Sequence, residues 1–370
     1  SKRGENVIIK RISILVIMCL FVSGCGKKNT ISETVSSCYM YNWCYTEDGI
    51  VYQNPNGGKN RKTEYFDYET KKYYPLCGKL NCLHNTNDCM AIRLSEETGI
   101  GRLGDQWYYF RSDEKLGKGL YSCDLDGENE RRIGAFTEQP GTIGLYFNET
   151  YITAVSEYEY DDQGEQINQK STIYQMDVLD GSRKKLYQTS ENVLALYGKY
   201  ENWLLYQEMG EKGCLLRMIN LETNEITKPL GEDKINTNGV VSGELFIYSK
   251  QETYGQSVVA MNLKTGTSEK LMSGINAKYT INVFWEDKLK TITLTDYSRE
   301  NYPYEVYVYQ KNKISDLIRK GTEQSNEMVL SVKNEMVIGR KYAEGQVFDM
   351  ATISLEDYLA GKTNWKILEY

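Results

Sequence analysis

The chain has 370 residues and a formal net charge of −7, with nine cysteines, 31 tyrosines and a single histidine. Residues 1–24 carry +3, so the rest of the chain carries −10. Such an acidic chain argues against nucleic acid as a partner and against electrostatic adhesion to anionic lipid. The single histidine excludes metal sites built from several histidines and gives a Ser–His–Asp triad little support.

The N-terminus has the three parts of a secretory signal. Four basic residues lie within 2–11, an apolar run follows at 12–22, and small residues precede Cys25. The run is too short for a bilayer core, which needs about 20 apolar residues. Its end, V-S-G-C, resembles a bacterial lipoprotein signal, in which the cysteine is lipidated and becomes the mature N-terminus. The alternative is an ordinary signal peptide or membrane anchor with a chance cysteine.

The lipoprotein resemblance implies a division of the chain and a location. Residues 1–24 would be the signal peptide, and Cys25 would carry acyl chains such as palmitate. Residues 25–37 would tether the lipidated cysteine to a domain at 38–370. The protein would then lie at the extracytoplasmic face of a bacterial cell membrane.

Two sequence patterns recur along the rest of the chain. The first is a polar turn followed by an apolar run, and its copies start at residues 48, 105, 148, 201, 243, 287 and 334. The second is a strand, a polar turn and another strand, marked by Asp67, Asp124, Asp177, Asn220, Asn262, Gln310 and Ser354. Both patterns occur seven times, at intervals of 42 to 57 residues.

These copies predict an all-β fold. Their runs are short and rich in Tyr, Val and Ile, and turns such as "LDGEN" and "KTGT" favour tight hairpins because Gly adopts a positive φ. A repeat of about 45 residues with four strands is typical of a propeller blade. We therefore expect a seven-bladed β-propeller of four-stranded antiparallel blades. Six or eight blades and one or two β-sandwiches are the alternatives.

The chain also resembles surface lipoproteins of Gram-positive anaerobes that have a β-propeller domain. Blades of that group read "D-G-x-hyd-Y-Y", and a Cys-rich loop similar to "YYPLCGKLNCLHNTNDC" often follows the first blade. The group has no settled activity, so this resemblance implies a fold and a location and no chemistry.

The Cys-rich loop, residues 77–89, contains the candidate site. Cys77, Cys82, His84 and Cys89 have the spacing C-x4-C-x-H-x4-C. Three interpretations stay open: a disulfide, which suits an extracytoplasmic protein; a structural zinc, which suits a Cys3His set; and a reactive Cys–His pair. Either of the first two would hold the loop in place. No catalytic or ligand-binding residue outside the loop is indicated.

The function that we expect is recognition of a glycan, a peptide or a protein of the cell envelope. Propellers bind ligands at the central channel and its rim, where Tyr and Trp offer rigid contact area, although most tyrosines should pack between blades. A glycan hydrolase or lyase with paired carboxylates is a second hypothesis. An envelope scaffold is a third.

Overall fold

The computed structural model describes residues 36–38, 43–46, 48–53, 62–94, 98–135, 144–147, 149–164, 166–210, 213–231, 233–236, 239–299, 303–321, 327–343 and 346–368. Within these ranges, seven antiparallel sheets form the seven blades of a β-propeller, as predicted. The predicted signal peptide, Cys25 and the tether up to residue 35 lie outside the described residues. None of the described helices is long and apolar enough to cross a bilayer.

Each blade consists of four strands that are consecutive in the chain, named A to D in that order. A short strand, β1 (Ser36–Cys38), precedes them. Blades 1 and 2 comprise β2 (Trp43–Tyr45), β3 (Gly49–Gln53), β4 (Thr63–Asp67), β5 (Tyr73–Pro75), β6 (Thr98–Leu103), β7 (Gln106–Asp113), β8 (Gly117–Asp124) and β9 (Arg131–Ala135). Blades 3 and 4 comprise β10 (Gly144–Phe147), β11 (Thr150–Tyr160), β12 (Gln166–Asp177), β13 (Arg183–Thr189), β14 (Asn192–Tyr200), β15 (Trp203–Gly210), β16 (Gly213–Asn220) and β17 (Ile226–Thr227).

The other three blades follow the same order. Blades 5 and 6 comprise β18 (Gly239–Ser242), β19 (Leu245–Glu252), β20 (Gly255–Asn262), β21 (Ser268–Ile275), β22 (Thr280–Trp285), β23 (Lys290–Thr295), β24 (Tyr304–Gln310) and β25 (Lys313–Gly321). Blade 7 comprises β26 (Glu327–Lys333), β27 (Met336–Ala343), β28 (Gln346–Ser354) and β29 (Lys366–Ile367). The described helices are α1 (Met90–Arg93), between blades 1 and 2, and α2 (Leu355–Leu359), between β28 and β29.

Both sequence registers mark equivalent points of the blades. Every copy of the first pattern is an A–B turn with its B strand, and every marker of the second is the last residue of a C strand. Asp and Asn recur at that end because their side chains can cap the following turn. In blade 3, Asp177 accepts a hydrogen bond from the Leu179 N–H at 2.8 Å, and in blade 5 Asn262 accepts one from Lys264 at 2.9 Å.

The core lies between the blades. Seven clusters of buried apolar side chains occur, and each is shared by two neighbouring blades. Many of the tyrosines belong to these clusters, including the fully buried Tyr52, Tyr109, Tyr151 and Tyr206, as the composition predicts. Because side chains alternate along a strand, each strand contributes to the cluster on either side of its sheet.

The strands alternate in direction, so each blade has two ends. The A–B and C–D turns lie at one end, here called the A–B face. The B–C turns and the ends of the D strands lie at the other, here called the B–C face. The A strands of blades 1 to 6 contact those of their neighbours in this series, which places them around the central axis.

Blade 3 contains a fifth strand that the repeats do not predict. β1 pairs antiparallel with the inner edge of β10, with Ser36 opposite Tyr146 and Cys38 opposite Gly144, and it also contacts β2 and β6. It therefore lies inside the ring of A strands. Ser36 and Ser37, which the sequence assigned to the tether, belong to this strand. Because β10 runs towards its A–B turn, Ser36 is at the end of β1 nearer the A–B face.

The ring closes through side chains. Tyr45 of blade 1 and Leu368, close to the C-terminus, both pack against the apolar cluster between blades 7 and 1. The two ends share no sheet within the described residues, since β29 pairs with β28 and β2 pairs with β3. Packing between complete blades joins the ends of the ring.

Candidate metal centre

The connection between β5 and β6 contains the Cys-rich loop, followed directly by α1. The four side chains that the sequence singled out converge there. One ligand atom from each of Cys77, Cys82, His84 and Cys89 lies within 4.8 Å of the other three. The Nδ1 atom of His84 is 3.3 Å from the Cys89 sulfur. The three thiols are not joined in disulfides.

Local backbone geometry brings these side chains together. Asn81 and His84 have positive φ angles of 58° and 50°, a conformation that Asn and His adopt more readily than most residues. The Cys82 N–H donates to the Lys79 carbonyl, and the Cys89 N–H donates to the Thr86 carbonyl. The loop thus turns back twice within thirteen residues, and its sulfurs and imidazole face a common point.

The surroundings of the thiols differ from one another. The backbone N–H of His84 lies at the Cys82 sulfur and holds the pKa of that thiol below its ordinary value. Burial raises the pKa of Cys89 to about 11, against the opposing effect of the Ile92 and Ala91 N–H groups. Burial also lowers the pKa of His84, which favours the neutral imidazole that binds metals.

Cys89 connects the cluster to the core, because it is the residue from which α1 starts. Met90 of α1 and the following Leu94 belong to the apolar cluster between blades 1 and 2, and Ala91 of α1 is buried as well. Their neighbours in that cluster include Tyr65 of blade 1 and Trp107 of blade 2. A four-residue helix has little stability of its own, so α1 depends on this packing and on the loop before it.

The loop is also attached to the C–D turn of blade 2. Lys79 donates to the Asp88 carbonyl at 3.0 Å and forms a 3.4 Å ion pair with Glu128. Arg93 donates to the Gly127 carbonyl at 3.1 Å. A Cβ atom at Gly78 would lie 2.5 Å from the Cβ atom of Asp126, so only glycine permits this approach.

The donor set suits a thiophilic ion. Three sulfurs and one imidazole form a closed Cys3His set, typical of structural zinc, whereas Mg²⁺, Ca²⁺ and Mn²⁺ prefer oxygen ligands. Zn–S bonds of about 2.3 Å and Zn–N bonds of about 2.0 Å place the ligand atoms of a tetrahedral site about 3.5–3.8 Å apart. The observed spacing is within a small side-chain adjustment of that arrangement.

A second feature, which the sequence did not indicate, is the distribution of exposed apolar side chains. Five of them lie at or within two residues of the B–C turns of blades 2 to 6: Leu116, Ile167, Met209, Tyr254 and Tyr297. The C–D turns of the A–B face carry some as well: Leu179 lies in the blade 3 turn, and Tyr74, Ile226 and Ile367 lie within two residues of the C–D turns of blades 1, 4 and 7. Leu80 and Leu83 lie in the Cys-rich loop, and Leu317 lies on β25.

The A–B turns differ in character from the B–C turns. Each of the seven A–B turns carries an acidic residue: Asp48, Asp105, Glu149, Glu201, Glu244, Asp287 and Glu335. The A–B turns thus share an acidic residue in all seven blades, and the B–C turns of blades 2 to 6 share an exposed apolar side chain.

No protein-family model matches the chain, and no curated protein matches it significantly. Solved structures with a similar fold exist. One, from a study of two prolyl endopeptidases, has 9% identity and a TM-score of 0.58 over 89% of this chain and 50% of that chain. The acylaminoacyl peptidase of Pyrococcus horikoshii has 8% identity and a TM-score of 0.55 over 89% and 52%.

An oligogalacturonate lyase in complex with manganese has 11% identity and a TM-score of 0.54, over 88% of this chain and 92% of the lyase. The chain spans about half the length of the two peptidase structures. At these identities the likeness establishes the propeller fold alone. The manganese is a property of that lyase, and a thiol-rich set is a poor match for this ion.

Proposed function

We propose that this protein is a binding module anchored to the extracytoplasmic face of a bacterial membrane through an acylated Cys25, and that its B–C face binds a protein of the cell envelope. The observation that carries the proposal is the row of exposed apolar side chains at the B–C turns of five successive blades. Exposed apolar residues gathered on one face are characteristic of interaction sites. Leu, Ile and Met beside Tyr favour a protein surface over a sugar.

The path of β1 supports an orientation in which the A–B face is nearer the membrane and the B–C face points away from it. Its first residue, Ser36, is at the end nearer the A–B face, so the covalent link to Cys25 leaves the propeller there. Ten residues, 26–35, separate Cys25 from Ser36, and the eleven residue steps between the two span at most about 40 Å when extended. The acidic A–B turns would be repelled by anionic lipid headgroups, which keeps the propeller off the membrane. The B–C face is then the one presented to partners.

Site-specific photo-crosslinking in bacterial cells that make the full chain tests the binding face. A photoreactive phenylalanine at position 254 should give a discrete protein adduct, and one at position 179 on the A–B face should give none. The adduct at 254 should weaken with Met209→Ser and Tyr297→Ser. Equal adducts at both positions, or none at 254, would overturn the proposed face. A protease-resistant carbohydrate adduct would replace the protein partner by a glycan.

The anchor has its own test. Cys25→Ala should abolish labelling by a fatty-acid analogue and move the protein from the membrane fraction to the medium. Cys214→Ala, which removes a half-buried thiol of blade 4, is the matched control and should leave labelling unchanged. Retention of the Cys25→Ala protein in the membrane would show that another segment attaches it.

A further inference from the structure

We propose that Cys77, Cys82, His84 and Cys89 bind one Zn²⁺ as a closed structural site, and that this ion holds α1 in the core between blades 1 and 2. The proposal does not depend on the binding function above. It has two parts, the identity of the ion and its effect on the fold, and each has its own experiment.

The number and type of ligands favour zinc. All four ligand atoms come from the protein, which leaves no open position of the kind that catalytic zinc keeps for water or substrate. A disulfide between two of the thiols would use half of the cluster and leave a third thiol beside the imidazole. The structure instead brings all four ligand atoms around one point, within 4.8 Å of each other.

The backbone around the sulfurs also suits metal-bound thiolates. The His84 N–H lies at the Cys82 sulfur, and the Ala91 and Ile92 N–H groups lie at the Cys89 sulfur. These donors would satisfy sulfur lone pairs that the ion leaves unused, as second-shell groups do in metal sites.

The effect on the fold follows from the position of Cys89. This residue is a proposed ligand, and the buried residues Met90, Ala91 and Leu94 follow it within five positions. Fixing the Cys89 sulfur in a tetrahedron with Cys77, Cys82 and His84 removes the freedom of the segment that places these apolar side chains. Part of the free energy of metal binding thereby becomes free energy of packing between two blades.

The ion is tested by mass and composition on the chain from residue 25 onward carrying Cys25→Ser, purified without chelator. Native mass spectrometry and elemental analysis should give one zinc per chain, and the denatured mass should show every thiol reduced. X-ray absorption should report three sulfurs and one nitrogen around the zinc. Cys77→Ser and His84→Asn should each lose stoichiometric zinc, and Cys214→Ser, a thiol outside the cluster, should keep it.

Two results would overturn the site. One is a denatured mass about two daltons light, from a disulfide within the loop, with no zinc. The other is a fully reduced chain that stays free of zinc after incubation with zinc salt. Cobalt substitution covers the case in which a variant fails to fold, because the wild-type chain should then show sulfur-to-cobalt charge-transfer bands of a tetrahedral thiolate site.

Hydrogen exchange tests the effect on the fold. Treating the wild-type chain with a zinc chelator should make the amides of Met90–Arg93 exchange roughly tenfold faster or more. The amides of α2 in blade 7, a helix of similar length, should be unaffected and serve as the internal control. Unchanged exchange in α1 after complete loss of zinc would show that the ion does not hold the helix.

Discussion

The junction between blades 1 and 2 contains an inserted loop and helix, whereas the junction between blades 7 and 1 is closed by strand side chains. At the first, Met90 and Leu94 of the insertion join the apolar cluster. At the second, the cluster consists of residues from the two blades and Leu368, with a 3.3 Å hydrogen bond from Tyr68 to the Ser331 hydroxyl. Blade 1 is thus held in two different ways.

Blade 1 has short outer and inner strands. The described parts of its A and D strands, β2 and β5, have three residues each, whereas all the strands of blade 2 have five or more. Short strands bury less apolar area and stabilise a junction less. The insertion adds the buried side chains that these strands lack. If the zinc proposal holds, one junction of blade 1 responds to metal and the other does not.

The largest effect is expected from a cavity at the metal-dependent junction. Leu94→Ala and Ile338→Ala truncate fully buried side chains at the junctions 1–2 and 7–1, and each should lower the free energy of unfolding by about 2–5 kcal/mol. With a zinc chelator present, the loss of unfolding free energy caused by Leu94→Ala should be smaller, because α1 and Leu94 are already less tightly packed. The loss caused by Ile338→Ala should be unchanged. Urea unfolding of both variants, with and without chelator, measures this.

Coupling between the metal and the packing of Leu94 can be recognised from non-additive changes in stability. Sites that share an element give non-additive changes, and distant sites give additive ones. Equal costs of Leu94→Ala with and without zinc would remove the distinction between the two junctions.

A smaller contrast, between the variants of two glycines, is expected at Gly127, where the blade 2 turn contacts α1. Gly127 has a φ of 86°, and a Cβ atom there would lie 2.8 Å from the Met90 sulfur. Gly266 in blade 5 has a φ of 70° with nothing within 4 Å of its Cβ position. Gly266→Ala should cost about 1–2 kcal/mol from backbone strain alone, and Gly127→Ala about 1–3 kcal/mol more from overpacking. Thermal unfolding of the two variants compares them.

The alanine pair isolates the contact with α1. Equal losses for the two variants would mean that Met90 moves aside freely and that α1 is not tightly packed against blade 2.

Local patterns of the sequence were enough to predict the blades. Asx residues such as Asp177 and Asn262 mark the ends of C strands because capping a turn is a local property. The ligand set of the loop was equally readable, since its four members lie within thirteen residues. In each case all the residues that form the feature lie within one short segment of the sequence.

Features that depend on distant partners were not predictable. Nothing in "SSC" at 36–38 specifies pairing with β10, more than a hundred residues away, and nothing in "MAIR" indicates a helix buried between blades. The exposed face was hidden for a similar reason. Tyr248 and Tyr254 are six residues apart in one hairpin, yet the first is buried and the second is almost wholly exposed. Tyr248 lies within β19 and packs against blade 4, whereas Tyr254 lies in the B–C turn.

A pH-dependent effect is expected at the junction between blades 6 and 7. Glu286 accepts a 3.2 Å hydrogen bond from the Val332 N–H, and burial nevertheless raises its pKa. A raised pKa stabilises the fold below the unfolded value of about 4.3, and that contribution is lost as pH rises through the folded value. Glu286→Gln should therefore raise the thermal midpoint at pH 7 by more than at pH 4.

The exposed Glu269→Gln changes the same charge and is the control for this comparison. The thermal midpoint of the Glu269→Gln variant should differ little from that of the wild type, and by similar amounts at pH 4 and pH 7. A larger gain for Glu286→Gln at pH 4 than at pH 7 would contradict the assignment.

The smallest effect is expected from an ion pair across the junction between blades 1 and 2. Arg102 of β6 donates to Asp48 at 2.6 Å. Burial opposes ionisation of Asp48, but the hydrogen bonds from Arg102 and Thr46 outweigh it and lower its pKa. Stability from a lowered pKa is present above the unfolded value of about 3.9 and lost as pH falls through the folded value.

Arg102→Gln should accordingly destabilise the protein at pH 7 by less than about 1 kcal/mol, because the carboxylate is half exposed and salt screens the pair. The loss should decrease as pH falls below the unfolded value and Asp48 becomes protonated, and it should shrink in molar salt. A double-mutant cycle with Asp48→Asn isolates the pair from other contacts of Arg102, such as that with the Trp107 ring. Acidification thus weakens the ion pair of Asp48 at junction 1–2. At junction 6–7 it protonates Glu286 and so removes the cost of burying that charge. A destabilisation by Arg102→Gln that persisted unchanged at pH 2 would assign the effect to ring packing and leave no role for charge at this junction.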